Sequence, residues 1–152
     1  MKRRVVYGHI EGRTEEFCQW AADILCPGQT FPTDTNALAS EIDGRIAAVT
    51  LWNGFDERNC LMSIASDGSR RWMTREFLYR SFAYPFVQLC LPRVTVKIDE
   101  ANADSIRLGR HLGFTEEGRM RKAGPNGRSE IIMGLLREEC RWVNLNLAKH
   151  AV

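Results

Sequence analysis

The sequence predicts an α+β fold, and three observations carry that expectation. Ala37 to Ile42 and Arg45 to Trp52 flank the dipeptide Asp43-Gly44, which suits a two-residue hairpin turn with positive backbone φ. Val94, Val96 and Ile98 alternate with Thr95, Lys97 and Asp99, the period of a strand with one face in a core; a capped helix and a Gly-bounded return strand complete the stretch Arg93 to Arg121. The strand-like segments near the N-terminus follow one another with a single helix interposed, which is not the regular alternation of a βαβ repeat.

In chain order, Lys2 to Ile10 reads as a first strand with Val5 and Tyr7 on one face. Thr14 caps a helix whose first turn carries Glu15 and Glu16, where acids favour the positive end of the dipole. Phe17, Trp20, Ala21, Ile24 and Leu25 recur at helical spacing until Cys26-Pro27-Gly28 stops the element. Gly28 to Thr35 is a loop and a candidate substrate lid, with Phe31 placed to touch substrate. After the hairpin, Asn53 to Asn59 forms a second turn, and Cys60 to Ala65 a short apolar strand. Ser66 to Trp72 leads into a long helix, roughly Arg70 to Leu89, buried through Trp72, Phe77, Leu78, Phe82 and Phe86, with Pro85 kinking it or marking its last turn. Asn102 or Asp104 caps the next helix, Ile106, Leu108 and Leu112 give it a buried face, and Gly113 supplies a left-handed stop before Phe114 begins an extended run. The turn Ala123 to Gly127 returns the chain into a strand, Ser129 to Leu136, and Val143 to Val152 is expected as a short helix or a frayed end.

A chain of 152 residues allows one domain, 1–152, with a substantial core. The hydrophobic fraction of 44% with 26% charged residues is that of a soluble protein, and no apolar run is long enough for a membrane span. The basic start Met1-Lys2-Arg3-Arg4 is followed by a stretch too short and polar for a signal peptide, so a cytoplasmic location is expected. Cysteines at 18, 26, 60, 90 and 140 form no Cys-x-x-Cys pair and suggest reduced thiols rather than a disulfide framework or a metal site. A formal charge of +2 gives no reason to expect a nucleic-acid partner. Oligomeric state is open, a homodimer included.

The pattern Asn102-x-x-Ser105, a short helix, then Leu112-Gly113-Phe114-x-x-Glu117-Gly118-x-x-Arg121 resembles the second half of the GNAT superfamily of N-acetyltransferases, closest to the branch that acetylates protein N-termini and small amines. The closing Gly134-Leu135-Leu136-Arg137-Glu138-Glu139 also looks like the end of such a domain. The resemblance implies a central mixed, mostly antiparallel sheet of six or seven strands flanked by about four helices. It also implies transfer of an acetyl group from acetyl-CoA to a primary amine on an unknown acceptor, by direct attack and without a metal. A GNAT-fold protein that has lost catalysis and serves as a binding or assembly module is the alternative.

Such a reaction needs donors for the developing oxyanion, a group to take the amine's proton and a donor for the leaving thiolate. The resemblance places the arm of acetyl-CoA between Cys60–Ala65 and Val94–Asp99, on amides freed at Ile64 and Ala65, with Asn102 bonding it from the other side. Ser105 falls where the family often protonates the sulfur, although Asn102 and Ser105 also read simply as cap and first-turn residues. The junction Gly68, Ser69, Arg70, Arg71, Trp72, Met73 and Thr74 corresponds to the coenzyme A pyrophosphate site. Amides at a helix start make an anion cradle, and arginines at that positive end are unfavourable unless an anion binds. The family's Arg/Gln-x-x-Gly-x-Gly/Ala signature falls on Ser69, Trp72 and Thr74, none of which matches. No general base is identified among Glu41, Asp56, Glu57 and His9; His111 reads as a surface residue, and Glu117 and Arg121 as partners of each other.

Overall fold

The computed structural model of the chain describes residues 1–143, so the expectation for the C-terminal tail lies almost wholly outside the described residues. The strands are β1 (Arg3–Tyr7), β2 (Asn36–Ile42), β3 (Arg45–Asn53), β4 (Leu61–Ser66), β5 (Arg93–Asp99), β6 (Thr115–Met120) and β7 (Glu130–Leu136). The helices are α1 (Gly8–Glu11), α2 (Thr14–Leu25), α3 (Arg75–Ala83) and α4 (Ala103–Leu112). All seven strands join one sheet in the order β1-β2-β3-β4-β5-β7-β6, antiparallel except between β4 and β5, which is the α+β architecture the sequence predicts.

Local chemistry explains most element ends. Asp43 (φ 50°) and Gly44 (φ 80°) both turn left-handed between β2 and β3, as a tight hairpin requires. The Asn102 side chain, rather than Asp104, caps α4 by accepting from the Ser105 amide at 3.1 Å, and Gly113 (φ 110°) ends it.

Three elements depart from the sequence expectation. Thr14 does not cap α2: Arg13 holds the cap position without a side-chain cap bond, and Thr14 is the first helical residue. The first strand stops at Tyr7 instead of running to Ile10, because Gly8 lies against Thr14, where a Cβ would come within 2.8 Å of its Cα and Oγ1. The chain coils there into the single turn α1, closed by the Arg13 amide on the Gly8 carbonyl at 2.7 Å. The long helix starts at Arg75, not Arg70: Thr74 is its cap, and its Oγ1 accepts from the Phe77 amide at 3.2 Å. Pro85 brings no N–H, and Tyr84–Gln88 widens into a turn of π-helix, closed by the Leu89 amide on the Tyr84 carbonyl.

The sheet buries both faces of its N-terminal half. On one, Phe17 and Ala21 of α2 pack on Val6, Ala39, Val49, Leu51 and Ala65. On the other, Phe77, Phe82 and Phe86 pack on Leu38, Trp52 and Met62, and this core continues under α4 through Leu112, Val94, Met133 and Leu135. Helix α2 rests on β2, β3 and β4. Beyond it, the face of the sheet opposite α4 presents Arg93, Lys97 and Glu117, which are partly or fully exposed. Among the described residues no helix is long and apolar enough to cross a membrane.

Candidate active site

β4 and β5 touch at one end only. Their single bridged pair is Leu61↔Thr95, with the Thr95 amide bonding the Cys60 carbonyl at 3.0 Å. Beyond that apex, β4 is held by β3 from Leu61 to Ser66, and β5 by β7 from Arg93 to Asp99, while nothing bonds the two to each other. A wedge-shaped gap therefore opens toward Ser66 and Asp99.

The ladder decides which amides line this gap. The Asp67 amide bonds the Ala47 carbonyl at 2.9 Å, and in an antiparallel ladder bonding alternates residue by residue, so the amides of Ala65 and Ser63 also point to β3. Those of Ile64 and Ser66 face the gap. Of the two amides expected there, Ile64 is in place and Ala65 is not: it pairs with Val49, and its side chain is buried under α2.

At the wide end of the gap lies the turn 67–74. Gly68 and Ser69, expected to offer their amides, have already committed them, to the Ser66 hydroxyl at 3.2 Å and the Asp67 carboxylate at 2.8 Å. The amides of Arg70, Arg71, Trp72, Arg75 and Glu76 have no hydrogen-bond partner among the described residues. The side chains of Arg70, Arg71 and Arg75 are exposed, and Arg71 reaches Asp67 only at 4.0 Å. The two sequence-predicted arginines thus belong to the turn before the helix rather than to its first residues. Trp72, the departure from the family signature, turns its indole into the core, edge-on to Phe77, and donates from Nε1 to the Ser69 carbonyl at 2.7 Å. Its ring therefore does not cover the turn. The Ser69 hydroxyl is buried with no hydrogen-bond partner among the described residues, an unmet polar group beside the open amides. Met73 is half-buried. The donors and positive charge of Arg70, Arg71 and the start of α3 would suit a diphosphate such as that of coenzyme A.

Across the gap, Asn102 and Ser105 stand at the start of α4, Asn102 with its carbonyl oxygen spent on the cap. The candidate bases are otherwise engaged or remote. Glu41 is buried between Arg13 at 3.2 Å and Arg4 at 3.7 Å. Asp56 accepts from the Arg58 and Asn59 amides at 2.7 and 2.8 Å. Glu57 lines a cavity of about 380 Å³ with Asp34, Asn36, Phe55 and Tyr84, at the end of the sheet opposite the mouth of the gap. His9 is exposed on α1, and His111, exposed at the end of α4, lies 6.1 Å from the Trp142 ring. The lid expectation meets a tethered loop: Asp34 accepts from the Gly54 amide at 2.8 Å, and Phe31 packs against the α2 core. A larger cavity, about 490 Å³, opens between Trp20 of α2 and Arg45 and shares Asp67 and Arg71 with the turn, but the carboxylates of Asp43 and Asp67 make it a poor seat for a phosphate.

Thiol chemistry is disfavoured at the apex. Burial, helped by Asp56, pushes the Cys60 thiol up to about 12. Sequence reasoning missed the polar network beside it. Glu117, expected to pair with Arg121, instead takes Arg93 at 2.6 Å; Arg93 also donates to Thr95 Oγ1 at 3.2 Å, which donates to Asn59 Oδ1 at 2.7 Å. Alternation on β5 already placed Arg93 and Thr95 on one face, but the partner strand was not legible.

Comparison with known proteins adds the fold. No family model matches the sequence, and no curated protein sequence matches it. Among solved structures, mutant forms of the spermidine/spermine N-acetyltransferase SpeG from Vibrio cholerae superpose with a TM-score of 0.68 at 12% identity, over 90% of this chain and 96% of that one. The putative acetyltransferase yncA from Salmonella typhimurium, solved with acetyl-CoA, gives 0.68 at 18% identity, over 91% and 96%. The ribosomal-protein-S5-alanine acetyltransferase from Vibrio fischeri gives 0.60 at 14% identity, over 71% of this chain and 64% of that one. The fold of the chain is that of the GNAT N-acetyltransferases.

Proposed function

We propose that the chain transfers an acetyl group from acetyl-CoA to a primary amine by direct attack. The observation that carries this reading is the gap between β4 and β5, bridged at one pair and leading to a turn with open amides and three exposed arginines. A thioester arm extended along β4 meets the amides of Ile64 and Ser66, which are oriented to take its carbonyl oxygens, and its diphosphate reaches the start of α3. Asn102 and Ser105 close the other side, Ser105 as the donor nearest the sulfur. The neutral amine nitrogen bonds the carbonyl carbon, the carbon–sulfur bond breaks, and the one proton the nitrogen sheds passes through water to the leaving thiolate while its other hydrogen stays on the amide. Water serves because Asp56, the carboxylate beside the apex, already accepts from the Arg58 and Asn59 amides. The acetyl-CoA seen in yncA and the amine acceptors named for the other neighbours support the assignment of both substrates.

The test is calorimetric titration with acetyl-CoA. Binding is expected, and Arg70→Ala with Arg71→Ala should weaken it about 5- to 30-fold, the worth of two exposed charge contacts at ~0.5–1 kcal/mol each. A protein that binds no acetyl-CoA sinks the reading. The second reading, a binding module without turnover, draws on the commitment of Glu41 and Asp56 to other partners; acetyl-CoA binding without thiol release in the presence of amines would favour it.

A further inference from the structure

On the exposed face of β5, β7 and β6, an ion pair occupies the place where a β7 side chain would stand. Glu117 receives Arg93 Nη2 on Oε1 at 2.6 Å and Nη1 on Oε2 at 3.3 Å. The pair lies over Gly134, where a Cβ would collide with Arg93 Nη2 and come within 2.5–2.6 Å of the Glu117 carboxylate. Folding does not explain this arrangement: side chains that are 29% and 38% exposed gain little from pairing, and a glycine inside a strand weakens it. The pair is also wired to the apex of the gap, since Arg93 bonds Thr95, the β5 residue bridged to Leu61.

We propose that Glu117, held by Arg93 above Gly134, is the specificity-determining carboxylate that anchors a second cationic group of the acceptor. This inference rests on the acetyltransferase reading. Arg93 occupies two of the four or so lone-pair positions of the carboxylate, which leaves the others for an ammonium group. The carboxylate sits over β7, one strand beyond β5, whereas the reacting carbonyl belongs between β4 and β5. One and a half strand spacings put them roughly 7 Å apart, too far for Glu117 to take a proton from the reacting nitrogen and right for a cation several bonds along the acceptor. The half-buried Ile132, on the same face of β7, offers apolar contact for an aliphatic stretch between the two nitrogens. The acceptor class is therefore a diamine or polyamine, or a peptide with a second amine at that reach.

The experiment titrates 1,6-diaminohexane and n-hexylamine into acetyl-CoA-loaded wild type, Glu117→Gln and Gly134→Ala, with melting temperatures as a check on folding. Wild type should bind the diamine at least tenfold more tightly than the monoamine. Glu117→Gln should erase that preference while leaving n-hexylamine and acetyl-CoA affinities unchanged, and a folded Gly134→Ala, whose methyl displaces the pair, should do the same. A wild type without the preference, or a Glu117→Gln that keeps it, overturns the inference. Failure of the acetyltransferase reading shows separately, as wild type that gives no heat with acetyl-CoA alone.

Discussion

Replacing Thr95 with valine tests whether the apex of the gap is held by side chains as well as by the single backbone bridge. The Thr95 hydroxyl donates to Asn59 at 2.7 Å and accepts from Arg93 at 3.2 Å, and the residue is 7% exposed. The neutral bond is worth about 0.5–1.5 kcal/mol; the guanidinium bond would be worth more when buried, but Arg93 can rehydrate, which reduces it to about 1 kcal/mol. The methyl that replaces the hydroxyl returns about 0.8 kcal/mol through burial. The net loss is about 1 kcal/mol, or about 2–4 °C in Tm for a chain of this size. Urea unfolding at pH 7 measures the loss. Acetyl-CoA titration of the same variant should show weaker binding, because Asn59 precedes β4 and Thr95 belongs to β5, so their bond sets where the strands begin to part. A stability loss under about 0.3 kcal/mol, within the scatter of neutral surface changes, together with unchanged acetyl-CoA affinity would refute the reasoning.

Thiol labelling with iodoacetamide at pH 8 should modify exposed Cys90 quickly and leave Cys60 and Cys140 unmodified until the protein unfolds. Burial raises those two thiols to about 12 and about 11, so that only ~10⁻⁴ to 10⁻³ of each is thiolate at that pH. Peptide mass mapping reads the order, and early loss of Cys60 would contradict its placement in the core. Asp99, bonded by Arg128 at 2.6 and 2.9 Å, is held down to about 2. Because the folded value is depressed below the unfolded value near 3.9, its stabilisation is full above that pH and is lost as pH falls toward 2, so Asp99→Asn should flatten the acid limb of stability against pH between about 4 and 2. An acid limb identical to that of wild type would count against the pair.

Much of the fold was legible because it is written in short-range chemistry. Asp43-Gly44 specifies its turn through φ alone, Asn102 and Gly113 bound α4 through caps one turn long, and the alternation Val94, Val96, Ile98 fixes which face of β5 enters the core. The same local reading overran at Ile10, where contact with Thr14 bends the chain, and at Arg70, where the cap lies four residues later at Thr74.

The candidate site was legible as a region and not as a set of contacts. The wedge could be expected only from the resemblance, and which amides line it depends on the register of β4 against β3, which retains Ile64 and removes Ala65. Trp72 stands where the family signature has a glycine, and only packing shows that its ring turns toward Phe77. Glu117 was matched to Arg121, its neighbour in sequence, whereas the sheet order sets it beside Arg93.

The amino-acid sequence by itself determined which segments form strands and helices, the Asp43-Gly44 turn and the Asn102 and Gly113 ends of α4, and which side of β5 is apolar, since those depend on backbone dihedral preferences and on side chains within a turn or two. Tertiary structure alone decided that β4 and β5 share one bridged pair and that Arg93, Thr95, Asn59 and Glu117 meet beside it. The reason is that β4 satisfies its backbone along β3 and β5 along β7, so the gap between them follows from pairings made with other strands.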